Sequence, residues 1–600
     1  MSRLLPSRRR VAHGLPSARL CSCRTMPAAT LPIALPAQAR RVLRDRFGVA
    51  DLRPGQAEVI ASVLRGNHTI AVMPTGSGKS LCYQVPALCK PGLTVVVSPL
   101  IALMKDQDEK LREFGVDAAV FNSATSSEEQ ERYLANGGSR KQPIVLATPE
   151  RLADAGFMDW LKRQTVRLFV VDEAHCISQW GHDFRPAFLD IPAAVRAVGS
   201  PPVLAMTATA TDEVIHDIAA TLDLTAACVV KVGVYRENLH YAVRQVSDEE
   251  RKQDAVLELV RQADGPAIVY STTVKEAEIL HGVLREADVD AALYHGRLGA
   301  KARREAQDAF MSGGTPVMVA TDAFGMGIDK PDVRLVVHAQ LPGSLDSYYQ
   351  ESGRGGRDGL PARCVLIHEE KDKRIQQFFL ANRYPTKELL LRVLRVLEDA
   401  GAGVTEKELS ALLGKVGERK LRVGLKLLAD AGLVEADDEG RVRLSGHGDG
   451  DNDNGGHSDA RERAALAAEK YEQRAEHDRQ ILASMVQYAR SGRCRWRMLL
   501  EHFGDVPEWE RCGHCDSCDL AREAEAVEKA GDAPPDDHGR RPRLRIGDGV
   551  RVRRYGAGVV EAVTRERVDI RFPNGDLRRF LPGYVTRLKG VPPVPRPAPA

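Results

Sequence analysis

The sequence predicts an α/β protein built from two tandem parallel-sheet lobes, followed by a small helical block with a β-like end, a cysteine-bearing helical segment and a compact β unit. Three observations carry this reading. Short apolar runs at Thr69–Val72, Thr94–Val97, Ile144–Ala147, Leu168–Val171 and Val203–Met206 alternate with helical patterns, as strands of a parallel sheet buried on both faces do. A second series at Ala267–Tyr270, Val317–Ala320 and Leu335–His338 repeats the pattern. Finally, 600 residues exceed what one core holds, since domains usually carry about 100–200 residues each.

Composition narrows the class. A hydrophobic fraction of 43% and a charged fraction of 28% are ordinary for a soluble protein, and no apolar run approaches the roughly 20 residues a membrane span needs, so no membrane partner is expected. A net charge of +3 neither demands nor excludes a polyanionic partner. Of the 11 cysteines, seven are scattered and four gather around Cys512, which argues for a reducing compartment and a metal site rather than a disulfide framework. The leader 1–44 holds no acidic residue and carries Arg8, Arg9 and Arg10. It reads as a disordered tail or an upstream start before Met26, with a transit peptide as the weaker alternative.

The first lobe, 45–230, opens on its phosphate-binding signal. Met73-Pro74-Thr75-Gly76-Ser77-Gly78-Lys79-Ser80 follows an apolar strand and precedes a helix starting near Leu81, although Met73 replaces the first glycine of the strict pattern. Gly76 and Gly78 let backbone amides approach phosphate, Lys79 supplies a point charge, and the Ser80 hydroxyl can ligate Mg²⁺. Asp172-Glu173-Ala174-His175 follows another strand, which stands its carboxylates where that metal would lie. Asp172 is expected to hold the metal and Glu173 to activate the attacking water.

With these motifs the chain resembles the superfamily 2 helicases, and from Arg53 to about Ala362 it closely resembles RecQ proteins. The resemblance implies RecA-like lobes and an ATP-dependent DNA helicase of 3′-to-5′ polarity acting in recombination and repair. ATP, Mg²⁺ and Zn²⁺ are the implied cofactors. DNA is the implied substrate, single-stranded, tailed or forked, with repair or single-strand-binding proteins as possible partners in a bacterial, nucleoid-associated cytoplasmic setting. Arg53 and Gln56, within Leu52–Gln56, are implied to read the adenine. Ser98–Gln107 and Ala147–Arg151 resemble DNA-backbone contacts, and Thr207-Ala208-Thr209 resembles the segment linking hydrolysis to lobe movement. The segment Cys176–Pro186 resembles the aromatic-rich loop that couples single-strand binding to hydrolysis. In it Trp180 and Phe184 can stack on bases while Arg185 meets phosphate. In the second lobe, 231–384, Tyr294–Gly296, Ala320–Lys330 and Gln350–Gly359 complete the motif series, with Arg354 and Arg357 as the expected arginine fingers.

Beyond the lobes, 385–445 resembles a winged helix. It shows an apolar stripe of Leu389, Leu390, Val393, Leu394 and Leu397, a Thr405/Glu408 capping box, and a third helix over Val416–Ala431 carrying Arg419, Lys420, Arg422 and Lys426. A purely architectural role fits it equally well. Residues 446–460 read as a flexible linker. In the module 461–522, Cys494, Cys512, Cys515 and Cys518 suit tetrahedral Zn²⁺, with His514 a bystander. This part resembles the RecQ zinc module, which places Arg493, Arg495 and Arg497 near a DNA-facing helix. Each lobe is expected to have its own core, so loss of metal should be felt over Tyr488–Leu520. The winged-helix-like block stands before the cysteines, whereas the family usually carries it after them, and no HRDC-like helical pattern follows. A linker, 523–541, leads to an SH3- or Tudor-like barrel at 542–590, marked by the hairpin signal Phe572–Asp576, and a tail at 591–600.

Overall fold

A computed structural model of the chain describes residues 34–116, 118–122, 144–178, 185–325, 330–383, 385–401, 403–414, 416–437, 441–445, 456–531, 544, 546, 548–552, 556–563, 567–572, 577–581 and 585–588. It divides into two compact units, Met1–Arg522 and Glu523–Ala600.

In the first lobe, seven strands pair in parallel: β1 (Thr69–Val72), β2 (Leu93–Val97), β3 (Ala118–Phe121), β4 (Ile144–Ala147), β5 (Val166–Val171), β6 (Val203–Thr207) and β7 (Cys228–Lys231), in the order β3-β4-β2-β5-β6-β1-β7. Alternation explains why these runs read as continuously apolar. Ile70 and Val72 enter the core on one face of the sheet while Ala71 and Met73 enter the core on the other. All five expected strands of this lobe are present. Edge strands β3 and β7 are additional to these, and β7 is only half-buried along its length.

The second lobe adds six parallel strands: β8 (Leu239–Val246), β9 (Ala267–Tyr270), β10 (Ala291–Tyr294), β11 (Val317–Ala320), β12 (Leu335–His338) and β13 (Ala362–Glu369), ordered β10-β11-β9-β12-β13-β8. Its two faces are closed by different parts of the chain. Ala267, Val269, Val337 and Val365 pack with the lobe's own helices, whereas Ile268, Val336, Cys364 and Leu366 belong to one core with Leu482, Met485, Trp496, Leu499 and Phe503. The cysteine-bearing module is therefore one cover of this sheet, which corrects the expectation that the lobe has a core independent of it. Trp496 is fully buried, donates Nε1–H to the Leu239 carbonyl at 3.0 Å and meets Tyr241 edge-on with ring centroids 4.9 Å apart.

Helix Lys387–Ala400 buries the expected leucine/valine stripe. It is followed by β14 (Val404–Thr405), helices Glu406–Leu413 and Glu418–Asp430, and β15 (Val434–Ala436) and β16 (Arg441–Leu444), paired antiparallel in the order β14-β16-β15. This is winged-helix topology. The Thr405/Glu408 capping box opens the second helix. A 35-residue helix, Gly456–Arg490, then starts inside the stretch read as linker. The correction has a simple cause: the Ala/Glu/Arg-rich run after Asp459 has high helix propensity and carries the helix back toward the glycines. Among the described residues no helix is long and apolar enough to cross a membrane.

The terminal unit is a curled antiparallel sheet of β17 (Gly549–Val552), β18 (Gly556–Val563), β19 (Val568–Arg571), β20 (Leu577–Phe580) and β21 (Val585–Arg587), ordered β20-β19-β18-β17-β21. Val550, Val552, Val560, Val568, Ile570 and Phe572 fill it. The β19–β20 hairpin spans the expected turn, whose residues 573–576 lie outside the described ones.

Because Trp496 belongs to the core beneath the second sheet, Trp496→Ala should cost about 3–5 kcal/mol. Hydrogen exchange should speed up together in β8 and in helix Arg495–His502; acceleration confined to the helix would contradict a common core.

Candidate active site

The phosphate loop leaves β1 and turns into helix Leu81–Cys89 with Gly76 at φ +81° and Gly78 at φ +73°, conformations that suit glycine. A Cβ on Gly78 would lie 2.7 Å from Gln56 Nε2 and would push that side chain out of its bonds to the loop. Gln56 Nε2 donates to the Ser77 and Gly78 carbonyls at 2.9 Å each, while its Oε1 accepts from the Arg53 amide at 2.8 Å. The Arg53 guanidinium bonds the Gly76 carbonyl. Both residues expected to read a base are thus tied here to the loop backbone. Lys79 Nζ donates to the Met73 carbonyl at 3.1 Å, and burial lowers its pKa against the opposing pull of Glu173 and Asp172. Thr75 Oγ1 and Ser77 Oγ are buried in the loop with no hydrogen-bond partner, so the cradle fits a bound phosphate that would satisfy them.

Asp172 and Glu173 leave the carboxyl end of β5. Burial raises the Asp172 pKa above the usual carboxylate range, and Lys79 opposes that rise. Glu173 takes a left-handed backbone at φ +50°, a strained conformation for a side chain of its kind. Its Oε2 lies 3.4 Å from His175 Nδ1, which is 2.9 Å from Thr207 Oγ1, and that hydroxyl donates to the Thr209 carbonyl at 2.9 Å. The Asp-Glu-Ala-His box and the Thr207–Thr209 segment therefore touch directly. Ser80 Oγ and the Asp172 carboxylate offer the hard oxygen ligands Mg²⁺ prefers.

Two further side chains brace these groups, and sequence reasoning did not single out either. Gln107 Nε2 donates to Ser80 Oγ at 2.6 Å while its Oε1 accepts from Tyr83 at 2.9 Å, and Ser98 Oγ donates to Asp172 Oδ2 at 3.4 Å. Both lie in the segment expected to contact DNA.

The second lobe meets this loop through Gly353–Arg357. A Cβ on Gly76 would stand 3.3 Å from Arg357 Cγ, and one on Gly353 would stand 3.8 Å from Thr75 Cβ. Arg354 is buried and lines, with Glu173, His175, Arg185, Asp322 and Glu351, a cavity of about 240 Å³ between the lobes. Arg185 reaches this cavity and donates Nη1–H to the Pro99 carbonyl at 3.4 Å. Trp180 and Phe184 lie outside the described residues, as do Met326–Asp329.

Cys494, Cys512, Cys515 and Cys518 place their sulfurs within 4.8 Å of one another, a donor set that fits closed tetrahedral Zn²⁺. The His514 imidazole instead faces the Cys512 carbonyl at 3.0 Å. Arg495, expected near a DNA-facing helix, is buried: its guanidinium forks onto Asp516 at 2.8 and 3.1 Å and donates to the Tyr488 and Ser491 carbonyls. Its place in the common core requires such pairing. Arg493 and Arg497 both bond Glu501.

Known families align along this architecture. The DEAD/DEAH box helicase family matches residues 53–218 and the helicase conserved C-terminal domain matches 251–359, which defines a two-lobed helicase motor. The RecQ zinc-binding family matches 457–519. The Bacillus subtilis ATP-dependent DNA helicase RecQ is 44% identical over 345 residues, covering 57% of this chain and 58% of that protein. The probable ATP-dependent DNA helicase RecS of the same organism is 39% identical over 361 residues, covering 60% of this chain and 72% of that protein. The chain belongs to the RecQ family of superfamily 2 helicases. It spans little more than half the length of the first of these relatives.

One zinc ion per chain is the expected result of metal analysis by mass spectrometry. Cys515→Ser should lower that content and, because the module covers the second sheet, expose β8 and β13 to proteolysis as well as Tyr488–Leu520. A well-folded, active unsubstituted chain containing no zinc would refute the site.

Proposed function

We propose that the chain is an ATP-dependent DNA helicase of RecQ type that moves 3′ to 5′ on single-stranded DNA and unwinds duplex in recombination and repair. The observation that carries this reading is the gathering of Lys79 and the Asp172/Glu173 carboxylates from one lobe with Arg354 and Arg357 from the other around a single phosphate loop. Lys79 with the amides of Thr75 to Ser80 binds the phosphates; Ser80 and Asp172 hold Mg²⁺; Glu173 activates water. Arg354 and Arg357 meet transition-state charge only when the lobes close, which makes hydrolysis depend on lobe position. Arg53 and Gln56 bind the base once released from the loop. Trp180 and Phe184 stack on DNA bases while Arg185 meets phosphate. Zn²⁺ sits on the four cysteines as a structural ion. DNA, single-stranded or forked, is the substrate; repair or single-strand-binding proteins are further partners, in the bacterial cytoplasm.

The winged-helix block grips duplex through its third helix, which carries Arg419, Lys420, Arg422 and Lys426, and Arg422 is paired there with Glu406 at 3.0 Å. The domain limits proposed are those read from the sequence, with the zinc module begun at Gly456.

Lys79→Ala and Glu173→Gln should each abolish ATP hydrolysis and leave DNA binding largely intact. Wild-type hydrolysis in either variant would remove the catalytic assignment. Strand displacement should occur on 3′-tailed and forked duplexes and not on 5′-tailed ones. Charge reversal of Lys420 and Lys426 should weaken forked-duplex unwinding in a salt-dependent way, since each neutralised phosphate releases counterions, while single-strand-stimulated hydrolysis persists. Unchanged unwinding at low and moderate salt would leave the block architectural.

A further inference from the structure

The lobes are joined by a short connector, 232–238, between β7 and β8. Its side chains spend their hydrogen bonds on one target. Arg236 donates Nη1–H to the Gly353 carbonyl at 2.8 Å and Nη2–H to the Gly355 and Gly356 carbonyls at 2.9 and 2.6 Å. Asn238 donates Nδ2–H to the Gly356 and Leu360 carbonyls at 2.7 and 2.8 Å. These acceptors are the backbone of the loop carrying Arg354 and Arg357. The loop is shaped to receive them: Gly356 sits at φ +53°, and a Cβ there would lie 2.4 Å from Asn238 Nδ2. Carbonyls of a tight glycine-rich turn have no strand partners, so without these donors the turn would rely on water and lose its fixed shape.

We propose that Arg236 and Asn238 are positioning residues that hold the arginine loop in the shape that aims Arg354 and Arg357 at the phosphate loop. The inference rests on the role proposed above for those arginines. A planar guanidinium fork reaches three carbonyls at once in a fixed geometry, which a lysine could not do. A loop displaced by about 1 Å would cost stabilisation of transition-state charge far more than ground-state nucleotide binding, because only the former depends on the arginine heads being in place.

The test separates those two quantities without measuring turnover. Binding of the fluorescent nucleotide mant-ADP with Mg²⁺ reports the ground state, and the gain in affinity on adding aluminium fluoride reports the transition-state geometry. In Arg236→Met and in the milder Asn238→Ala, mant-ADP affinity should stay within about twofold of wild type while the aluminium fluoride gain falls by about 10- to 100-fold. Arg236→Lys should recover only part of the gain. In an Arg357→Ala background, adding Arg236→Met should reduce the gain little further, as expected if it acts through that loop. If Arg357→Ala alone leaves the gain intact, the proposed role of the arginines fails. If Arg357→Ala removes the gain while Arg236→Met and Asn238→Ala keep it, or lose mant-ADP binding equally, the positioning role is overturned.

Discussion

Parallel strand direction is the constraint on which the rest of the site depends. Because every strand in both sheets runs the same way as its neighbours, the segments that leave the strands' carboxyl ends emerge along one edge of each sheet. The phosphate loop after β1, Ser98 after β2, Asp172 and Glu173 after β5 and Thr207–Thr209 at the end of β6 are far apart in sequence yet reach one place. The register makes this concrete: Val72 pairs with Thr207 and Val97 with Val171, so the last residues of these strands lie level. Lys79 beside the Asp172 and Glu173 carboxylates, all partly buried, is tolerable there because the opposite charges compensate one another, and the lowered Lys79 and raised Asp172 pKa values express the desolvation that remains.

The second lobe obeys the same rule but does not complete its own core. One face of its sheet is closed by residues more than a hundred positions later in the chain, and Trp496 anchors that closure both by burial and by its bond to the Leu239 carbonyl. The metal-binding cysteines are thereby linked energetically to the lobe that carries the arginines. Arg495 shows how close the packing is. A buried guanidinium is costly unless fully paired, and here Asp516 and two backbone carbonyls take its donors, while the second oxygen of Asp516 also accepts from the Val243 amide at 2.8 Å.

What the sequence made legible follows from the range of the interactions involved. Central strands announce themselves because burial on both faces writes a continuous apolar run, and the phosphate loop, the Asp-Glu-Ala-His box and the paired cysteines are local patterns fixed by local geometry. The polar outer half of β8 writes no such signal. Gln107, Arg236 and Asn238 are single polar residues whose partners lie 23 to 122 positions away, so no period or spacing marks them. Arg495 stands in a row of three alternating arginines with nothing local to mark it, and only the fold shows that it turns inward onto Asp516.

The connector also limits how the lobes can move. Tyr235 within it packs against Trp496 and Trp509, with ring centroids 4.9 and 5.5 Å apart, while its neighbours Arg236 and Asn238 grip the arginine loop. From Val234 onward the connector is therefore part of the second lobe and of the zinc module together, rather than a loose tether. Any rotation of the first lobe that preserves these bonds must be absorbed before Val234, near the exposed Gly233. Such a rotation would act on Lys231, which closes β7 and donates to the Phe503 carbonyl of the zinc module at 2.7 Å. The connector thus ties the arginine loop to the zinc module through Tyr235, Arg236 and Asn238, while Lys231 ties the end of β7 to the same module.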